Sequence, residues 1–315
     1  MKSKQKLSIV IPVFNEQHLL ETMVTNLMST LEEIEAEPEI LLVDDGSSDG
    51  TPETIARLCS DNDVINSLTL SRNFGKEAAI HAGIARSSGD CVLVMDADLQ
   101  HPPSLIPEMV AAWQSGALVV EAVKREPVRT GLVNRLGAVV FYRLYKRLSG
   151  LEITNHSDFK LLDRSVADLY LQMKEKHRFF RGLVHWMGLD AVQLTFDAGP
   201  SSQRSSRWSS FGLIKYALNN ISSFTTLPLQ VITFMGVGVV LLGAVLGVWT
   251  LGDKLLGQSA EGFTTINLLL IILGGAIMTS LGILGHYIGK IYEEVKDRPD
   301  YIVKPAVKDR NGDDP

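Results

Sequence analysis

An apolar run of five residues leads directly into two carboxylates in the segment Cys91-Val92-Leu93-Val94-Met95-Asp96-Ala97-Asp98. A short, continuous apolar run is typical of a strand that is buried on both faces of a parallel sheet. Asp96 and Asp98 are therefore expected at the carboxyl end of that strand, where open α/β sheets bind ligands. Two carboxylates at this spacing suit a divalent cation. Acid pairs also occur in ordinary loops, so other motifs are needed to distinguish a cation site from a loop without function.

Strands and helices alternate along the amino-terminal part of the chain. Apolar runs predict strands at 7–13, 39–43, 68–70 and 91–95, and helical spacing or capping residues predict helices at 17–33, 52–58 and 76–85. This βαβ series indicates an α/β domain with a mostly parallel sheet. The last residues, 309–315, are predicted to be disordered.

Two long apolar segments lie in the carboxyl-terminal third. No residue from 228 to 251 is charged, and from 263 to 289 the only ionisable side chains are His286 and Tyr287. Both segments exceed the roughly 20 residues that span a bilayer, and neither has a polar face. They therefore predict two transmembrane helices, with two buried helices of a soluble core as the alternative.

Loop charges predict the orientation of these helices. The linker 252–262 carries one basic residue, Lys254, whereas six basic residues follow the second segment. Because basic flanks stay in the cytoplasm, both termini and the amino-terminal domain are expected there. Cys59 and Cys91 indicate no disulfide framework. The net charge of −6 argues against a nucleic-acid-binding protein.

Two further segments are predicted to be amphipathic helices at a membrane surface. Residues 124–147 contain seven basic residues against one acid, Glu126, with apolar residues at helical spacing. This pattern is typical of a helix on an anionic membrane, although a solvated face of the domain core has the same pattern. Residues 204–224 run directly into the first apolar segment and offer aromatic and aliphatic side chains to the interface.

Four motifs stand in a fixed order along the chain. They are Ile-Val-Ile-Pro-Val-Phe-Asn-Glu at 9–16, Asp-Asp-Gly-Ser-Ser-Asp-Gly-Thr at 44–51, Leu-Ser-Arg-Asn-Phe-Gly-Lys-Glu at 70–77 and Asp-Ala-Asp-Leu-Gln-His-Pro-Pro at 96–103. In this order and spacing they resemble the family 2 glycosyltransferases of the GT-A fold. Residues 158–164 and 178–183 and the paired apolar segments narrow the resemblance to polyprenyl-phosphate glycosyltransferases. Within these, the chain resembles the bactoprenol glucosyltransferase branch, which is related to dolichol-phosphate mannose synthase.

The resemblance implies a GT-A (Rossmann-like) domain with a mostly parallel sheet, amphipathic juxtamembrane helices and two transmembrane α-helices. It also implies a nucleotide-sugar pocket that contains Pro12, Phe14, Glu16, Val43, Asp45, Lys76, Asp96, Ala97 and Asp98. Asp45 is suited to accept a hydrogen bond from a base or a ribose hydroxyl. Lys76 either reaches the nucleotide or a phosphate, or is an ordinary surface lysine.

A metal site is implied at Asp96, Asp98 and Gln100, where Mg²⁺ or Mn²⁺ neutralises the leaving nucleotide. The Gln100 amide serves equally well as a hydrogen-bonding group within its loop. Asp98 and Asp158 are the implied catalytic residues, and Asp158 matches the acid usually proposed as the base. A polyprenyl phosphate is already ionised near neutral pH, so its attack needs positioning and charge screening more than deprotonation. Asp158 is therefore alternatively a residue that orients a cationic partner, or a helix cap.

The acceptor phosphate is expected to bind to arginines, which offer two-pronged hydrogen bonding. Arg125 matches a family position that contacts phosphate, and Arg135 and Arg207 are expected beside it. The loop 196–208 departs from the family pattern, because Ser201 replaces an expected arginine and Arg204 an expected glycine. Arg204 is the residue available to replace the lost charge.

The implied activity is inverting transfer of one hexose to polyprenyl (undecaprenyl) phosphate on the cytoplasmic face of the bacterial inner membrane. The branch favours UDP-glucose; GDP-mannose, UDP-N-acetylhexosamine and UDP-pentose donors stay open. Alternatives are a membrane glycan or glycolipid synthase and an inactive glycosyltransferase-like scaffold, and the intact acids argue against the scaffold.

The predicted division of the chain has five parts. They are a nucleotide-sugar-binding core at 1–123, an acceptor-site part at 124–203, a juxtamembrane helix at 204–227, a two-helix transmembrane hairpin at 228–290 and a cytoplasmic tail at 291–315. The resemblance also implies a homotetramer. Pairs of small residues, Gly243 with Gly247 and Gly285 with Gly289, suit helix association between chains, or packing of the two spans within one chain.

Overall fold

The structure is a computed structural model that describes residues 4–125, 156–176, 178–196, 227–255 and 263–305. The described residues form two compact units. The first contains the described residues up to 196 and the segment 299–305, and the second contains 227–255 and 263–298. The predicted amphipathic segment 124–147 lies outside the described residues except for its first two residues, and the loop 196–208 except for its first. The second amphipathic segment, 204–224, and the tail 309–315 lie entirely outside them.

The first unit is built on a sheet whose described strands follow the order β3-β2-β1-β4-β6-β5-β7. The strands are β1 Lys6–Val13, β2 Glu37–Asp44, β3 Ile65–Thr69, β4 Cys91–Val94, β5 Val119–Lys124, β6 His156–Asp163 and β7 Ala191–Phe196. The helices are α1 Gln17–Leu31, α2 Thr51–Asp61, α3 Lys76–Arg86, α4 Ile106–Gln114 after a 3₁₀ turn at Pro103–Leu105, α5 Arg164–Gln172 and α6 Phe180–Trp186.

The predicted βαβ series and mostly parallel sheet are confirmed. Strand β1 pairs in parallel with both β2 and β4, and β2 pairs in parallel with β3. Every residue of β4 is buried, as the apolar run indicated. Strand β6 was not predicted. It runs antiparallel to both β4 and β5 and therefore brings its own first residues to the edge where β4 ends.

Helix α1 packs on the sheet through one apolar stripe. Its buried residues recur at the spacing of one helical face; they are Leu20, Met23, Val24, Leu27 and Leu31. They join the core with strand residues such as Ile9, Leu42 and Leu93, which are completely buried. The helical spacing in the sequence thus reports the face that is removed from water.

Helix α3 lies very close to the sheet because one of its residues has no side chain. A Cβ atom at Gly83 would be 2.2 Å from Val10 Cγ1 and 3.0 Å from Val43 Cγ2. A larger residue would push the helix away from β1 and β2, because protein cores have no spare volume. Since α3 starts shortly after β3 ends, its first residue, Lys76, lies at the carboxyl edge of the sheet.

The second unit contains two long helices, α7 Leu227–Leu255 and α8 Phe263–Val295, which contact each other. Among the described residues, the stretch Ile272–Val295 is long and apolar enough to cross a membrane, and the apolar stretch Phe234–Leu246 in α7 is shorter. Large apolar side chains of both helices are exposed, for example Phe234 at 74% and Met278 at 69%. Exposed apolar surface of this kind indicates an interaction with lipid or protein. One of the two predicted spans is thus supported by length and composition, and the second stays a prediction.

Candidate active site

The two acids that follow β4 lie in a tight loop at the carboxyl edge of the sheet. The backbone N–H of Asp96 donates to Nδ1 of His101 (3.1 Å), and the N–H of Gln100 donates to Oδ1 of Asp98 (3.0 Å). Leu99 adopts a φ of 60°, which is uncommon for a residue with a side chain. His101 is buried and stacks on Phe159, with 5.0 Å between the ring centroids. The acid loop is therefore held in place by a neutral nitrogen of a buried imidazole.

Asp158 reaches the same place because β6 runs antiparallel to β4. Val94, the last residue of β4, pairs with Lys160. If that register is continued by two residues, Asp158 stands opposite Asp96. The sheet therefore brings together two acids that are 62 positions apart in the sequence.

Lys76 links these two acids. Its Nζ lies 2.5 Å from Oδ1 of Asp96 and 2.5 Å from Oδ2 of Asp158. Burial lowers the pKa of Lys76, but the two carboxylates outweigh it and hold the pKa above the usual range. The alternative of an ordinary surface lysine does not fit this geometry.

Asp158 contacts a second cation, Arg181. The guanidinium of Arg181 donates from Nε to Oδ1 of Asp158 and from Nη2 to Oδ2 at 2.9 Å. Burial acts to raise the pKa of Asp158, which is only 3% exposed, but the bonds from Arg181 and the charge of Lys76 hold that pKa well below its usual range. A carboxylate with such a low pKa is a weak base at neutral pH. The arrangement favours the interpretation of Asp158 as a residue that orients cations.

Asp45 joins the turn after β2 to the loop that precedes α3. Its Oδ1 accepts from the N–H of Phe74 (2.7 Å) and its Oδ2 from the N–H of Gly75 (2.9 Å). Burial raises the pKa of the Asp45 carboxyl against the effect of these bonds. The next residue, Gly46, has a φ of 70°, and a Cβ atom there would lie 2.5 Å from the backbone carbon of Arg72. The turn thus needs glycine, and Asp45 sets the position of the residue before Lys76.

The other residues expected in the nucleotide pocket lie at the ends of β1 and β2. Pro12 and Val43 are opposite each other in the β1–β2 pairing. Phe14 follows β1 and is 42% exposed, which leaves its ring available for stacking on a base. The N–H of Glu16 donates to Oγ1 of Thr51 (3.0 Å), so the start of α1 is tied to the start of α2.

The expected acceptor residues are only partly described. Arg125 directly follows β5; its N–H donates to the carbonyl of Phe196 (3.0 Å), and its Nη2 lies 3.5 Å from Oγ1 of Thr195. Arg135 and Arg207 lie outside the described residues. Lys124, expected at the start of a helix, is instead the last residue of β5 and donates from Nζ to Oε1 of Gln100 (3.1 Å).

The carboxylates of Asp96 and Asp98, which follow β4, fit a divalent cation that also binds substrate phosphates or water. Among the described residues, no group of three or more His, Cys, Asp or Glu side chains is arranged for a metal ion. Mg²⁺ typically binds to one or two carboxylates together with substrate phosphates and water, which is what Asp96 and Asp98 offer. The Lys76 ammonium against Asp96 shows that this carboxylate accepts a cation. The amide oxygen of Gln100 is engaged by Lys124.

Three residues of the site were not assigned a role from the sequence. Arg181 and His101 fall within the motifs that carry the family resemblance, but neither motif indicates which acid or backbone group the side chain meets. Glu77 is the third; burial raises its pKa to about 7, and the charge of Asp158 acts in the same direction. Arg181 and Glu77 meet partners in distant segments of the chain, and His101 bonds to Asp96 within its own motif but stacks on the distant Phe159.

Comparison with known proteins identifies the family of this chain. The model of Glycosyl transferase family 2 matches residues 8–171. The chain is 38% identical to an uncharacterized glycosyltransferase of Synechocystis sp., over 95% of this chain and 94% of that protein. It is 35% identical to the SfII prophage-derived bactoprenol glucosyl transferase of Shigella flexneri, over 96% of this chain and 98% of that protein. A prophage bactoprenol glucosyl transferase homolog of Escherichia coli is 33% identical, over 96% of this chain and 100% of that protein. The chain therefore belongs to glycosyltransferase family 2 and is a glycosyltransferase.

Proposed function

We propose that this enzyme transfers a single glucose from UDP-glucose to polyprenyl phosphate, with inversion at the anomeric carbon. An oxygen of the lipid phosphate forms the new bond to the anomeric carbon as the bond to the nucleotide diphosphate breaks, so the lipid phosphate is retained and UDP leaves. The observation that carries this proposal is the network of Asp96, Lys76, Asp158 and Arg181 at the sheet edge. The near full-length similarity to proteins named bactoprenol glucosyl transferases supports the choice of sugar and acceptor.

On the donor side, each residue has a task that suits its chemistry. Phe14 stacks on the base, and Asp45 accepts from the base or ribose while its two backbone bonds keep the pocket in shape. Asp96 and Asp98 would hold Mg²⁺ or Mn²⁺, which would supply positive charge against the leaving diphosphate. The amide oxygen of Gln100 accepts a hydrogen bond from Lys124. Gln100 would therefore join the metal site only if this hydrogen bond were broken.

On the acceptor side, positive charge takes the place of a strong base. The phosphate nucleophile carries its own negative charge, so Arg125, Arg135 and Arg207 bind it and bring it to the sugar. Asp158 keeps Lys76 and Arg181 at fixed positions beside the reacting groups. Preorganised charges of this kind stabilise a transition state without reorganising at the moment of reaction.

The setting of this chemistry follows from the apolar helices. We propose two membrane spans with the first unit and both termini in the cytoplasm, where nucleotide sugars are made, and an enzyme of the bacterial inner membrane. The amphipathic segments bring the acceptor part, 124–203, to the lipid headgroups. The small-residue pairs in both spans suit a homotetramer.

A donor screen tests the proposed function. Purified enzyme with Mg²⁺ or Mn²⁺ and undecaprenyl phosphate is expected to form a glycolipid with UDP-glucose at a rate well above that with GDP-mannose, UDP-N-acetylglucosamine or UDP-xylose. Without lipid, release of UDP should fall to a low background. Transfer from another donor would replace the sugar assignment, and transfer to a glycan in place of the lipid phosphate would favour the synthase alternative.

Cysteine labelling tests the orientation. In a variant with Cys59→Ser, which leaves the buried Cys91, a cysteine at Ser259 is expected to react with an impermeant thiol reagent in intact cells. A cysteine at Ser3 should react only after the cells are opened, because basic flanks hold the termini inside. Labelling of the Ser3 position from outside would contradict the cytoplasmic placement of the active site.

A further inference from the structure

The segment 299–305, which follows α8, is part of the first unit. The N–H of Ser71 donates to the carbonyl of Ile302, and the N–H of Lys304 donates to the carbonyl of Thr69, each at 2.8 Å. Leu70 and Val303 form an antiparallel bridge between these bonds. The segment therefore pairs with the chain just beyond β3, directly before the loop that Asp45 holds. We call residues 299–305 the terminal strap.

Asp300 of the terminal strap contacts two cationic side chains and one histidine. Its Oδ2 lies 2.9 Å from Nε of Arg178 and 3.3 Å from Nδ1 of His81, and its Oδ1 lies 3.6 Å from Nζ of Lys176. The Asp300 side chain is 13% exposed and that of Arg178 is 5% exposed. The ring of Tyr301 packs edge-on against His81. The ion pair of Asp300 with Arg178 is therefore largely buried, unlike an ordinary salt bridge at the surface.

Arg178 extends the contact to the segment that carries Arg181. Its Nη1 donates to the carbonyl of Tyr170 (3.3 Å), and its Nη2 to that of Met173 (2.5 Å). Two residues later, the N–H of Phe180 donates to Oε2 of Glu77 (2.8 Å). Arg181, the next residue, then binds Asp158.

Helix α3 closes the connection from the other side. His81 lies one turn after Glu77 on α3, and Lys76 is the first residue of the same helix. Asp300 thus stands between the helix that presents Lys76 and the segment that presents Arg181. Both of those cations contact Asp158. A change in the distance between α3 and the segment that carries Arg181 would therefore displace Lys76 and Arg181 from Asp158.

We propose that Asp300 is a positioning residue for sugar transfer: by joining Arg178 to His81, it keeps Lys76 and Arg181 in contact with Asp158. The terminal strap therefore contributes to the geometry of the active site, although it lies more than 140 residues after Asp158 in the sequence. The kinetic part of this inference rests on the proposed function, whereas the structural part does not.

The Asp300→Asn variant of the full chain tests this inference. It keeps the shape of the side chain and removes its charge, so Arg178 loses its carboxylate partner. We expect kcat for transfer to fall roughly tenfold to a hundredfold, the scale on which small displacements slow enzymes, with the KM for the nucleotide sugar close to that of the wild type. Asp300→Glu should recover part of the loss. Asp63→Asn, the same charge change at an exposed acid, should leave kcat unchanged.

A coupling measurement separates positioning from general stability. If Asp300 acts through Arg181, Asp300→Asn should cost much less in an Arg181→Lys background than in the wild type, since contacting networks are not additive. Equal losses in both backgrounds, or an unchanged kcat in Asp300→Asn, would overturn the inference.

Hydrogen exchange gives a readout that does not depend on activity. In Asp300→Asn, exchange should become faster in residues 76–86 and 178–186, while β1 stays protected as in the wild type. An even increase across the sheet would assign Asp300 to overall stability instead. If the wild type fails to glycosylate the lipid but the local exchange pattern appears, the proposed function fails and the positioning contact stands.

Discussion

Sugar transfer by the Asp98→Asn variant is expected to be slower than by the wild type by on the order of 10³ or more, the scale of losing one electrostatic contact to the transition state. Asparagine has nearly the same shape as aspartate, and its amide oxygen can still accept from the N–H of Gln100, as Oδ1 of Asp98 does at 3.0 Å. The loop should therefore keep its form while the negative charge that attracts the cation is lost.

Two measurements accompany this variant. Direct Mn²⁺ binding in the presence of UDP should weaken strongly in Asp98→Asn, and EDTA should reduce the wild type to a similar rate. Asp63→Asn serves as the matched control, because it removes one exposed carboxylate away from the sheet edge. Full activity of the wild type in EDTA would show that the acids after β4 do not work through a metal ion.

Asp158→Asn is expected to slow transfer by roughly 10² to 10³, the scale for the loss of a preorganised charge. We attribute this loss to the missing charge, because Asp158 does not act as the base in the proposed reaction. The variant leaves Lys76 and Arg181 without the carboxylate that they share. Because both cations keep some contact with solvent, the loss of stability should be moderate, about 1–3 kcal/mol. Urea unfolding followed by tryptophan fluorescence would measure it.

The role of Asp158 is then separated from that of a general base by two further results. The double variant Lys76→Met with Asp158→Asn should be little slower than the worse single variant, because both changes break one network. The wild-type rate should show almost no solvent deuterium isotope effect, since the lipid phosphate arrives ionised. A large isotope effect, together with independent losses in the double variant, would restore Asp158 as the base.

The depressed pKa of Asp158 also predicts the pH dependence of its contribution. Its folded-state pKa lies below the value of an unperturbed aspartate, so the carboxylate stays charged through the neutral and mildly acidic range. Its contribution to stability and to the positions of Lys76 and Arg181 is present above the unfolded pKa and is lost as the pH falls through the folded one. We therefore attribute no loss of rate between pH 5.5 and 8 to Asp158.

The position of Lys76 between Asp96 and Asp158 has an electrostatic reason. Asp96 and Asp158 would repel each other if both were charged and unscreened, and the ammonium of Lys76 lies 2.5 Å from an oxygen of each. The ammonium of Lys76 therefore screens the two carboxylates from each other.

Much of the fold could be predicted because the relevant signals are local. The apolar run 91–95 reports a buried strand, and the residues of α1 that recur at helical spacing are the ones that face the core. The motif Asp96-Ala97-Asp98 directly follows this apolar run, so its two acids could be placed at the carboxyl edge of the sheet, where α/β sheets bind ligands. Burial of a strand or of one helix face follows from the order of apolar and polar residues alone.

The charge network required long-range pairing that no local pattern encodes. The antiparallel direction of β6 brings Asp158 to the end of β4, where Asp96 lies. The partners of Asp158, Lys76 and Arg181, come from positions 82 and 23 residues away. Asp300 joins from still farther along the chain, by pairing beyond β3. The motifs therefore indicated which residues carry chemistry, whereas the protonation and partner of each depend on charges that tertiary packing alone brings within about 3 Å, because electrostatic energy depends on distance in space.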